Sequence, residues 1–131
     1  MLLRRIISIA IFCLYLAAVA YLCFAKPEDV PPLPELWLGL PADKVAHFAM
    51  FLPFPLLGYI AFEATGMNIW KRILLIAALV VIGLGAAICT EQVQALLAYR
   101  SAEAKDLAAD GVGLVCGGLA AFIYTLVKYR K

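Results

Sequence analysis

Residues 73–89 read ILLIAALVVIGLGAAIC, seventeen residues without a charge or a proline, bracketed by Lys71-Arg72 before and Thr90-Glu91 after. A helix on a soluble protein carries an apolar stripe and a polar face. This one is apolar all round, and with its flanks it approaches the ~20 residues a bilayer crossing requires. Working outward, three further stretches have the same character: 6–25, 45–62 and 107–127. The composition agrees, at 66% hydrophobic and 15% charged, against roughly 45–50% and 25% for soluble domains. The expected fold is an all-α membrane protein, a bundle of four transmembrane helices in a single domain over 1–131. Four spans leave no room for a sizeable soluble domain. The first stretch follows Arg4-Arg5, and its apolar run exceeds the ~7–15 residues of a cleaved leader, so it is expected to stay as a span. Cys13, Cys23, Cys89 and Cys116 all lie inside apolar stretches without a CxxC pair, which makes them small packing residues.

Charge orients the bundle. Arg4, Arg5, Lys71, Arg72, Lys128, Arg130 and Lys131 fall on one side of a four-span arrangement, and Lys26, Lys44, Arg100 and Lys105 on the other. Lysine and arginine collect on the cytoplasmic side of short loops, so both termini are expected in the cytoplasm. Trp70 and Tyr129 read as interface anchors on that side.

Two proline clusters punctuate the chain. Pro27, Pro31, Pro32, Pro34 and Pro41 exclude a continuous helix between the first two spans. Pro34 either starts a short helix through residues 35–38 or belongs to a plain loop. Pro53 and Pro55 fall inside the second span, where they free backbone carbonyls and kink the helix. Gly113 and Gly117 form a GxxxG, which lets two backbones approach closely. It serves packing within one bundle or between copies in a homo-oligomer.

The candidate site consists of polar residues where a membrane disfavours them. Asp43, Lys44 and His47 open the second span, Glu91 and Gln94 close the third, and Arg100, Ser101, Asp106 and Asp110 lead into the fourth. Ionisable groups at membrane depth are costly and mark functional positions. If the helices alternate in direction, all three groups meet at the extracytoplasmic surface. Asp43 and His47 are four apart, as are Asp106 and Asp110, so each pair shares a helix face. His47 is the one histidine and the natural proton carrier. Lys44 and Arg100 beside helix N-termini suit an anion such as a phosphate. Asp43 and Asp106 also fit simple helix N-caps, whereas Asp110 lies a turn too deep for one. No HExxH-type motif surrounds these groups and Ser101 has no nucleophile elbow, so neither a metal nor a cofactor is expected. Nor is a nucleic acid partner.

The segment Asp43-Lys44-Val45-Ala46-His47-Phe48 resembles the DKxxHF of VanZ-like membrane proteins. Glu91-Gln92-Val93-Gln94 resembles that family's ExxQ, and Arg100-Ser101, Asp106, Gly113 and Gly117 resemble its RS…D…G…G run into the last span. The family commonly has Asn four residues after the matched Asp, where this chain has Asp110, an additional carboxylate. The resemblance implies a small multi-span protein of the bacterial cytoplasmic membrane. The founding member is associated with resistance to the glycopeptide teicoplanin.

Two functions follow as expectations. In the first, the outward polar site (Asp43, Lys44, Gln94, Arg100, Ser101 and Asp110) binds an anionic membrane-lipid headgroup or a lipid-linked peptidoglycan intermediate and modulates glycopeptide susceptibility. In the second, the protein is an intramembrane enzyme on a lipid-linked substrate, with His47 as general acid or base and Glu91 or Asp106 as its partner. A third, structural reading has the polar residues only lock the bundle.

Overall fold

The computed structural model describes residues 1–98 and 103–130. Five α-helices occur among them: α1 (Leu2–Phe24), α2 (Ala42–Phe51), α3 (Pro53–Phe62), α4 (Ile69–Ala95) and α5 (Ala104–Lys128). α2 and α3 run on as one apolar stretch, so the bundle has four helical units long and apolar enough to cross a membrane. The observed units extend the expected stretches by a few residues at most ends, because the flanking polar residues are helical too.

The second unit is interrupted where the prolines stand. α2 ends at Phe51, Leu52 keeps a helical conformation, and Pro53 begins α3. Proline supplies no N–H, so the carbonyls a turn earlier lose their usual donors. The Tyr15 hydroxyl of α1 donates to the Met50 carbonyl at this break. On the other side, α5 comes close. A Cβ added to Gly113 would lie 2.6 Å from the Phe48 carbonyl oxygen, and one on Gly117 would lie 2.1 Å from that of Leu52. Only a residue without a side chain permits that approach. The GxxxG face is therefore filled by α2 and α3 of the same chain.

Phe54, Tyr59, Leu79, Leu114 and Ala121 form the centre of the core, with Phe12 reaching in from α1. α1 is otherwise peripheral, since Phe12 and Cys23 are its two buried residues. Phe12 packs against Phe54 and Phe62, with ring centroids 5.5 and 5.9 Å away. Burial runs opposite to that of a soluble bundle. Arg72, Gln94, Asp106, Asp110 and Thr125 are buried, while Leu74, Val81, Ile82, Leu119 and Ile123 are exposed. An apolar exterior over a partly polar interior matches hydrocarbon surroundings and fits a multi-pass membrane protein.

The proline-rich connection between α1 and α2 holds one short 3₁₀ turn (Pro27–Asp29) and a two-residue hairpin, β1 (Leu36–Trp37) against β2 (Leu40–Pro41). Pro34 thus begins neither a helix nor a featureless loop. Leu38 and Gly39 both take positive φ, 54° and 77°, which is the demand of a tight hairpin turn. The hairpin delivers the chain directly into α2, with the Ala42 N–H donating to the Glu35 carbonyl at 3.3 Å.

Candidate functional site

Two polar clusters occupy opposite ends of the bundle. On α4, Arg72 and Glu91 are nineteen positions apart, about 28 Å along a helix, close to the ~30 Å of a bilayer's hydrocarbon core.

At the end remote from the termini, the first turn of α2 meets the first turns of α5. Both elements expose their polar residues one helical turn apart, so matched pairs face each other across the close contact set by Gly113. The Lys44 ammonium donates to Asp43 at 2.7 Å, to Glu103 at 2.6 Å and to Asp106. One turn deeper, His47 Nδ1 lies 2.8 Å from Asp110 Oδ1. His47 Nε2 lies 3.5 Å from Asp106 Oδ2. Asp110 is 1% exposed and Asp106 7%. Glu91 reaches the same end from α4, where Oε1 accepts the Glu103 N–H. The second oxygens of Asp110 and Glu91 are buried and have no hydrogen-bond partner among the described residues. Buried carboxylate oxygens are usually satisfied by protein, water or an ion.

The expected residues are therefore largely, though not uniformly, brought together. Asp43, Lys44, His47, Asp106 and Asp110 form one continuous network. Asp43 and Asp106 are not helix caps, because Pro41 and Glu103 hold the cap positions and neither makes a side-chain cap bond. Gln94 serves a different contact: its amide donates to the Cys23 carbonyl at 2.8 Å and fastens α4 to the end of α1. Arg100 and Ser101 lie outside the described residues. Glu103 is the residue that sequence reading missed. It stands four before Leu107 and three before Asp106, at the helix cap, a position from which it was legible only as a surface acid.

The charge balance bears on what the site can bind. Among the described residues, Asp43, Glu91, Glu103, Asp106 and Asp110 are five carboxylates against the ammonium of Lys44 and the imidazole of His47. Lys44 is already engaged by three of them. Asp43, Glu103 and Asp106 offer oxygens within 4.8 Å of one another, a spacing that suits a metal ion, but the Lys44 ammonium is bonded to all three. With Nδ1 directed at Asp110, a neutral ring carries its proton there and presents Nε2 as an acceptor, while a protonated ring donates on both sides. The arrangement can take a proton at Nε2 and hold it between two carboxylates.

At the end that carries both termini, α3, α4 and α5 build a second network that the sequence reading did not find. Arg72 is 4% exposed. It donates to the Met67 carbonyl at 3.0 Å, the Tyr59 hydroxyl at 2.9 Å, and Glu63 and the Ala64 carbonyl at 3.4 Å each. Its guanidinium carbon lies 3.6 Å from the Tyr129 ring centroid. Glu63 also receives Lys128 and, at 2.9 Å, the Tyr129 hydroxyl. Tyr129 is thus a packing partner as well as an aromatic residue at the end of a span. The overlooked signal was Tyr59 and Glu63 four apart on one helix face, followed by Arg72 across a short turn.

The chain matches no family model, no curated protein and no solved structure. Its resemblance to VanZ-like proteins rests on the sequence motifs.

Proposed function

We propose that this chain is a VanZ-like protein of the bacterial cytoplasmic membrane, with cytoplasmic termini and the His47 end at the extracytoplasmic surface. There it performs acid–base chemistry on a lipid headgroup or a lipid-linked cell-wall intermediate. The buried Asp110–His47 pair, 2.8 Å apart, carries this reading. A carboxylate that fixes Nδ1 leaves Nε2 as the acceptor, on the side that faces Asp106 at 3.5 Å, where a substrate hydroxyl would have to enter. Nε2 takes the proton of a hydroxyl as its oxygen bonds to an electrophilic centre of the lipid-linked substrate, Asp110 and Asp106 stabilise the resulting imidazolium, and the proton passes to the oxygen whose bond to that centre breaks.

The engagement of Lys44 weighs against a site made chiefly for phosphate. Five carboxylates favour a group that donates hydrogen bonds, such as a sugar hydroxyl or an amine. Simple binding of an anionic headgroup would rely on Arg100 and on release of Lys44 from its partners. A change in exposed lipid-linked intermediates would alter what teicoplanin reaches, consistent with the resemblance.

The test is mass spectrometry of membrane lipids and lipid-linked wall precursors in hosts making the wild type or His47→Gln at matched membrane abundance. A covalently altered species present with the wild type and absent with the variant supports the reading. Identical profiles would sink catalysis.

A further inference from the structure

The end that carries the termini holds a groove of about 380 Å³ between α1 and the ends of α3 and α5. Arg4, Arg5 and Ser8 line one side, and Glu63, Lys128 and Tyr129 the other. Glu63 is the one carboxylate in this lining, and it is already bonded to Arg72, Lys128 and Tyr129. Arg4 and Arg5 are exposed and make no ion pair among the described residues. The groove thus has a surplus of positive charge with two guanidinium groups at liberty. Arg72 differs, since its donors face Tyr59, Glu63 and backbone carbonyls.

Below the groove α1 changes character. Arg4, Ile7, Ile11 and Leu14 follow one another at i, i+3, i+7 and i+10, so they share a face. Ile7 and Ile11 are each 49% exposed and Leu14 71%. A guanidinium therefore heads a continuous exposed apolar stripe on α1. A cationic head above an apolar track is complementary to a molecule with a phosphate at one end and a hydrocarbon chain at the other. Basic pockets between membrane helices on the cytoplasmic side recognise anionic headgroups, and arginine matches phosphate with two parallel hydrogen bonds.

We infer that this groove binds an anionic phospholipid, its phosphodiester on Arg4 and Arg5 beside the Glu63-paired Lys128 and an acyl chain along Ile7, Ile11 and Leu14. The site is separate from the His47 end and stands or falls independently of the function assigned there. It would add a lipid-mediated contact between α1 and the bundle at the end that carries the termini.

The experiment is native mass spectrometry of the detergent-purified full chain titrated with phosphatidylglycerol or with phosphatidylcholine of the same acyl chains. Phosphatidylglycerol should be retained about tenfold more strongly. Arg4→Gln/Arg5→Gln should remove that preference without changing the melting temperature, and Arg4→Lys/Arg5→Lys should keep most of it. Lys26→Gln/Lys105→Gln takes the same charge from the opposite end and should bind as the wild type does. Equal retention of both lipids, an unchanged preference in Arg4→Gln/Arg5→Gln, or equal loss in the Lys26/Lys105 variant would overturn the site. So would full displacement of the lipid by millimolar inorganic phosphate, which would make the ligand a free anion.

Discussion

The two ends of the bundle both bury charge, but they use it differently. Around Arg72 nearly every donor has an acceptor: the guanidinium meets a hydroxyl, a carboxylate and two carbonyls and stacks on Tyr129. Around His47 carboxylates outnumber cations, and oxygens of Asp110 and Glu91 lack partners among the described residues. A saturated network holds helices in register and has little left to offer a ligand. A network with surplus acceptors among the described residues has more to offer a ligand, and the functional reading of that end builds on this.

That contrast predicts opposite responses to substitution. Arg72→Gln should cause the largest loss of stability, about 3–5 kcal/mol, because Glu63, Tyr59 and two carbonyls lose donors together. Thermal unfolding in detergent and abundance in membranes would register it; a variant as stable as the wild type would break the assignment of this end to structure. Gly117→Ala comes next, at about 1–3 kcal/mol, since the new Cβ would fall 2.1 Å from the Leu52 carbonyl oxygen and push α5 from the proline break. Lys44→Gln should cost about 1 kcal/mol, its ammonium being partly exposed. The deficit should grow as salt is lowered, because the carboxylates left behind repel with less screening, and a melting series in salt would reveal it. His47→Gln should change stability least, by less than about 1 kcal/mol, yet abolish the altered lipid species and any shift in teicoplanin susceptibility. If His47→Gln instead destabilises the protein as much as Arg72→Gln does, the two ends are alike and both are structural.

Much of the His47 end was legible because helical spacing repeats there. Asp43 and His47, and Asp106 and Asp110, are each four apart, and the structure pairs the two faces. Asp110 was also correctly read as too deep for a cap. Gln94 was misleading because periodicity says which face a residue occupies and not which neighbour covers it. Its amide reaches the C-terminal end of α1. The Arg72 end escaped notice for a related reason. Arg72 and Lys128 conform to the orienting bias of basic residues, so their positions in the sequence carry no separate mark of the pairing with Glu63 and Tyr59. The hairpin at Leu36–Pro41 was hidden because its turn depends on Leu38 taking a positive φ, which leucine seldom does.

The sequence by itself determined the number and order of the apolar helical units, the proline interruption, and the polar residues that stand against their surroundings. These are local properties, set by runs of side-chain hydropathy and by the missing N–H of proline. Only the tertiary structure decided that the glycines of α5 face the break of the same chain, that His47 pairs with Asp110, and that Arg72 reaches Glu63 and Tyr129. Those outcomes depend on which helix faces meet, and in a chain whose exterior is apolar on every side, hydropathy cannot rank one face above another. Backbone clearance at Gly113 and Gly117 and the need to satisfy buried charge made that choice.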